Sequence, residues 1–279
     1  MTPKVRYGDP TAGFWVKVER AEHHLRDLDQ AIQGFLKRKP YSMVKEEDLN
    51  TGSYIWRCKV SEQPPIEWSA VIGDIVHNLR SALDLLACEL VLLNKGKVTE
   101  YTSFPIADSR QKFESIIAGK VKGASKAAMD GIIAAKPYLG GNDAFWHLHR
   151  LDILDKHHIL IPVGAATQSV VIDFAADFAA RFPGSNLARD FPPLPIGIVP
   201  ANNQFPLKDG TILFRSAMFD DKGYKENITP QFVFEISFGE GEIFKGDPIV
   251  PTLKHIGEVV ANTVAGLAPL FRQTSTDMA

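Results

Sequence analysis

Residues 66–93, IEWSAVIGDIVHNLRSALDLLACELVLL, form the longest uninterrupted helical pattern in the chain, and the fold is read outward from them. At about 100° per residue, Val71, Ile75, Leu79, Ala82, Leu83, Leu86 and Leu90 share one broad side. Asp74, His77, Arg80, Ser81 and Asp84 take the other, with Ala70, Gly73, Ala87 and Cys88 between them. A solvated face would carry Lys, Glu and Gln; Gly and Ala beside short charged groups indicate a segment packed close against it. The polar stripe is therefore expected to be at least half buried. Pro64-Pro65 and Asn94-Lys95-Gly96 give the start and stop signals.

A second helix with the same oddity is expected over residues 143–158, DAFWHLHRLDILDKHH. Its spacing puts His149, Asp152 and Lys156 on one stripe beside Phe145, Leu148 and Ile159, with Asp155 at the edge. Arg150, His147, His157 and His158 project elsewhere. Complementary charges among core-type residues predict that the two polar stripes face each other. The expected linkage is that Arg80 and Lys156 neutralise Asp84, Asp152 or Asp155 across the helix pair.

Around these two helices the pattern is α+β. An amphipathic helix is predicted over 14–37, with Trp15, Val18, Leu25, Leu28, Ile32 and Phe35 on its stripe and solvated histidines at His23 and His24. Residues 41–45 and 53–60 read as a hairpin. Short helices are expected at 109–117 and at 125–135, the latter packing through Ala128, Ile132 and Ile133. Asn142 or Asp143 is placed to cap the 143–158 helix. From residue 159 the period changes to two: HILIPVG, SVVIDF, TILFRSAMF and QFVFEISF imply a mostly antiparallel sheet, with Phe232, Phe234, Ile236 and Phe238 on one face. A long loop at 179–206, a final helix at 252–267 on Leu253, Ile256, Val260 and Val264, and a frayed tail complete the chain. The expected organisation is a single α+β domain over 1–279, helical to about residue 158 and sheet beyond it.

Composition narrows the function classes. A 279-residue chain that is 45% hydrophobic has ample core, and a net charge of −2 without long single-sign runs disfavours a nucleic-acid coat or a membrane-surface protein. Apolar runs are interrupted well short of a bilayer span, and no apolar signal core opens the chain. Cys58 and Cys88 lie in apolar segments without CxxC spacing, which predicts two free thiols and a cytoplasmic location. The glycines at 13, 34, 52 and 73 are isolated, so no phosphate-cradling loop is present, and Ser69 and Ser81 lack the GxSxG elbow. His147 and His149 form HxH, but on a helix they diverge by about 200° and cannot chelate together. No cofactor and no metal is expected.

RAEHHLRDLDQAI, PPIEWSAVIGDIVHNLRSALDLLACEL, SFPI, KPY and LHRLDILDKHHIL occur in this order over roughly the first 160 residues. The combination resembles a family of bacterial and phage-associated proteins marked by IGDxxHNLRSALD and LDxxDKH, and the resemblance implies no particular activity. Members continue with His after the Asp and with Arg after DKH; this chain has Leu85 and His158 there. The pattern is also faintly similar to HEPN-type ribonucleases, which pair an Arg with a His about one and a half helical turns later. Leu85 stands where that His would be, leaving His77 as the nearest acid or base to Arg80.

Two functional readings follow. In the first, Asp74, His77, Arg80, Asp84, His149, Asp152, Asp155 and Lys156 form a buried polar network that binds a small anionic ligand or a protein partner, with no membrane involved. The alternative is a hydrolase acting on phosphodiesters, the only reading in which nucleic acid is a partner. The oligomeric state has no signature in the sequence.

Overall fold

The computed structural model describes residues 9–158, 160–172, 205–217, 228–239 and 244–273. Its elements are α1 (Ala12–Lys37), β1 (Tyr41–Asp48), β2 (Ser53–Val60), α2 (Trp68–Leu93), α3 (Arg110–Lys120), α4 (Lys126–Ala135), α5 (Asp143–His157), β3 (Pro162–Ile172), β4 (Ile212–Ala217), β5 (Ile228–Phe238), α6 (Ile249–Leu267) and α7 (Leu270–Gln273). The protein is α+β, with a helical N-terminal half, a small hairpin, a C-terminal antiparallel sheet and a terminal helix. Two compact units are built from interleaved segments. One comprises 1–30, 66–160 and 249–279; the other comprises 31–65 and 161–248.

The helical unit is organised on α2, which packs against α5 and α6, while α6 also packs against α4 and α5. Ile72, Ile75, Val76, Leu79, Leu83, Leu86, Leu90 and Val91 are buried along α2, as are Leu253, Ile256, Val260 and Val264 on α6. The buried arc of α2 is wider than a single stripe: Val71 is only half buried, whereas Ser69, Gly73, Asn78 and Ala87 are enclosed. Neighbours on more than one side explain this, and Gly73 shows how close they come. A Cβ there would collide with the Asp155 carboxylate, so any side chain would force Asp155 to move.

The turns follow local rules. Ser109 and Ser125 cap α3 and α4 by accepting from the backbone N–H of Lys112 and Ala128 at 3.3 and 3.2 Å. Lys95, just past α2, adopts a left-handed φ of 57°, and the Gly96 N–H reaches back to the Val91 carbonyl. Asn142 occupies the α5 cap without a side-chain bond, and Asp143 instead accepts from Gly140 N at 2.6 Å. One packing expectation is corrected: Ile133 is exposed, because α4 buries Ala128 and Ile132 while Ile133 lies a further 100° round.

In the second unit, β2 lies between β1 and β4 in a three-stranded antiparallel sheet, and β3 pairs with β5 antiparallel from Pro162↔Phe238 to Ile172↔Ile228. HILIPVG and SVVIDF are therefore mostly one strand, since residues 162–172 continue the ladder without a turn. Residues 212–217 of TILFRSAMF join the hairpin rather than their sequence neighbours. Tyr54, Trp56 and Phe214 form an aromatic cluster across β2 and β4. The expected 179–206 loop, apart from its last two residues, and the C-terminal tail lie outside the described residues.

Candidate functional site

Arg80 and Asp84 are four residues apart on α2, so their side chains share a face. Arg80 Nε and Nη2 donate to the two Asp84 oxygens at 3.2 and 2.7 Å, presenting one edge of the guanidinium as a fork. The same pair grips the SFPI segment: Nη2 donates to the Phe104 carbonyl at 3.0 Å, and the Phe104 N–H donates to Asp84 Oδ1 at 2.9 Å. Both backbone groups of Phe104 are thereby satisfied away from any sheet or helix. Its ring stacks on Phe145 of α5 with centroids 5.6 Å apart, which ties the loop to both helices. The Arg80 side chain is 11% exposed, and its Nη1 is buried without a hydrogen-bond partner among the described residues.

One α-helical turn toward the α2 N-terminus, the face is open. His77 is 59% exposed; its Nδ1 faces Asp152 Oδ1 of α5 at 3.7 Å. Its Nε2 lies 3.4 Å from the Ser81 hydroxyl. Asp152 is 6% exposed, and its other oxygen accepts from Lys156 Nζ at 2.6 Å, again four residues along one helix. The cation–carboxylate pairs thus close within α2 and within α5, which corrects the expected cross-helix pairing of Arg80 and Lys156. The i,i+4 geometry satisfies each carboxylate locally, and a 3.7 Å contact between His77 and Asp152 spans the two helices.

Two groups between these regions have displaced proton affinities. Burial pushes the His149 imidazole below its ordinary range, the Arg80 charge pushes the same way, and Asp152 pulls back. Its Nδ1 is buried and without a partner among the described residues, as is Nε of Arg150. Asp155, over Gly73, is pushed up by burial and by the charges of Asp152 and Asp74, with His77 and Lys156 opposing. Asp74 itself is exposed.

Of the eight expected site residues, the structure joins Arg80 to Asp84 and joins His77, Asp152 and Lys156. His149, Asp155 and Asp74 interact with these through charge. Sequence reasoning missed Phe104, whose link to Asp84 spans 20 residues, and gave Ser81 no role although it stands four residues after His77. Among the described residues no three His, Cys, Asp or Glu side chains are grouped to hold a metal ion. No described helix is long and apolar enough to cross a membrane. Cys58 and Cys88 are both free thiols, and burial pushes Cys58 up to about 11. Compared with known protein families, curated proteins and solved structures, the chain matches none of them.

Proposed function

We propose that the α2–α5 face of the helical unit binds a small anion, with Arg80 and His149 as its donors. The observation that carries this reading is the buried Arg80 Nη1, two N–H groups without an acceptor among the described residues, together with the equally unpartnered Nδ1 of His149, an imidazole that feels the Arg80 charge. A buried donor left unpaired costs about 1–3 kcal/mol, and an arriving sulfate, phosphate or carboxylate oxygen removes that cost. A carboxylate of a protein partner supplies the same acceptor, so a partner side chain is the second occupant of this chemistry. The free thiols of Cys58 and Cys88 support a reducing, cytoplasmic setting.

Sulfate tests the site, because its charge is constant across the imidazole range. The free protein holds His149 below its ordinary range, whereas an adjacent anion favours the protonated ring, so sulfate should bind more tightly as pH falls from 8 toward 6. Calorimetric titration should show saturable binding that weakens about tenfold or more in Arg80→Lys, which loses the planar fork. His149→Gln, which leaves the Arg80–Asp84 clamp intact, should abolish the pH dependence. Absence of saturable binding, or equal affinity in both variants, removes the reading. Phosphodiester hydrolysis, the alternative, draws its support from His77, whose two ring nitrogens already face an acid and a hydroxyl.

A further inference from the structure

Going beyond anion binding, we propose that Ser81, His77 and Asp152 form a nucleophilic relay that cleaves uncharged carboxylic esters at the exposed end of the α2–α5 face. The three groups stand in the order such chemistry needs: carboxylate, Nδ1, Nε2, hydroxyl. Asp152 Oδ1 is 3.7 Å from His77 Nδ1, and His77 Nε2 is 3.4 Å from Ser81 Oγ. Both separations are loose, as apo arrangements of this kind commonly are before substrate draws them together. Asp152, 6% exposed and fixed on its other oxygen by Lys156, is the anchored member; the imidazole, 59% exposed, is the reachable one. This asymmetry suits a base that must take a proton from one oxygen and hand it to another.

The step balances with water as the only co-reactant. Ser81 Oγ bonds to the ester carbonyl carbon, its proton passes to His77 Nε2, and the carbonyl electron pair moves onto oxygen. The carbon–oxygen bond to the alcohol then breaks, and the alcohol departs with the proton from Nε2. Water, giving a proton to Nε2, attacks the acyl-serine; the acid leaves, and Ser81 regains its proton. The backbone N–H groups around Ser81 belong to α2 and are committed to the helix, so the oxyanion needs a side-chain donor. Lys156 Nζ spends one of its three protons on Asp152 and, with its side chain 56% exposed, keeps two for that oxygen.

Charge selects the substrate class. At the exposed end of the face Asp74, Asp152 and Asp155 act on one another around His77, with Lys156 as the facing cation, whereas Arg80 and Arg150 are the cations acting on His149 at the enclosed end. A phosphodiester brings its own negative charge to these carboxylates; a carboxylic ester does not.

p-Nitrophenyl acetate tests the proposal with the whole chain. The expected result is a burst of about one nitrophenolate per chain, with acetate mapped to Ser81 by peptide mass spectrometry. Ser81→Ala, a change that favours the helix, should abolish the burst and lower turnover about 100-fold or more while leaving sulfate binding unchanged. Asp152→Asn should lower turnover with the fold retained by circular dichroism. Acetylation confined to lysines, or full turnover in Ser81→Ala, would overturn the relay. So would hydrolysis of bis-p-nitrophenyl phosphate that needs His77 but not Ser81, which would favour the phosphodiesterase reading instead.

Discussion

The two ends of the α2–α5 face use the same pattern, a cation and an aspartate four residues apart, for different ends. At Arg80–Asp84 the cation is nearly enclosed at 11% exposure, its carboxylate is 36% exposed, and both partners are bonded to the backbone of Phe104. At Lys156–Asp152 the exposures are reversed: the carboxylate is buried at 6% and the cation reaches solvent at 56%. The first pair fixes a loop. The second holds a carboxylate against an exposed imidazole and leaves its cation free to turn toward something else. Burial of the cation, rather than residue type or spacing, separates a clamp that fixes a loop and keeps only Arg80 Nη1 unspent from a face open to solvent.

The largest test of that contrast is Arg80→Ala. It should strand the Phe104 carbonyl and one side of Asp84, lowering stability by about 3 kcal/mol in chemical denaturation. Arg80→Lys keeps the charge without the fork and should lose roughly half as much. A variant with unchanged stability would make Arg80 a ligand residue alone. Next in size is Lys156→Ala: Asp152 loses its 2.6 Å partner but keeps His77 nearby, and water replaces an exposed cation at modest cost. The expected loss is about 1 kcal/mol. A loss equal to that of Arg80→Ala would erase the distinction between the two ends.

The smallest effect is the most specific. Asp155 has its folded-state pKa raised by burial and by Asp152 and Asp74, so its neutral form suits the fold. A raised acid contributes stability below its unfolded value, about 3.9, and that contribution is lost as pH rises through the folded value. At pH 7 the ionised group therefore opposes folding, and Asp155→Asn should raise Tm by about 1–2 °C. The gain should vanish below about pH 4, where the wild-type group is protonated too. A gain that persists in acid would trace the effect to packing over Gly73 instead of charge.

The helices were legible wherever their signals were local. Serine caps at Ser109 and Ser125, the stop at Asn94-Lys95-Gly96, and the stripe Leu253, Ile256, Val260 and Val264 lie within a few residues of what they determine. The small residues on α2 likewise announced a close neighbour, and Gly73 beneath Asp155 bears this out. The strand partners were not legible in the same way. Nothing within residues 212–217 states that they extend the β1–β2 hairpin, because pairing is set by which edge and which buried face remain available.

For the candidate site, the sequence by itself determined which residues share a helix face: 3.6 residues per turn puts His77 with Ser81, Arg80 with Asp84, and Asp152 with Lys156. It could not decide which carboxylate each cation would choose, since pairs within a helix and pairs between helices are equally compatible with two complementary stripes. Tertiary structure made that choice. It closed Arg80 and Asp84 around a backbone 20 and more residues away, and set Asp152 where one oxygen meets Lys156 and the other faces His77. Periodicity is a property of the local backbone, but burial and the supply of hydrogen-bond acceptors depend on segments distant in the chain, and these decide whether a charged side chain is spent or still available.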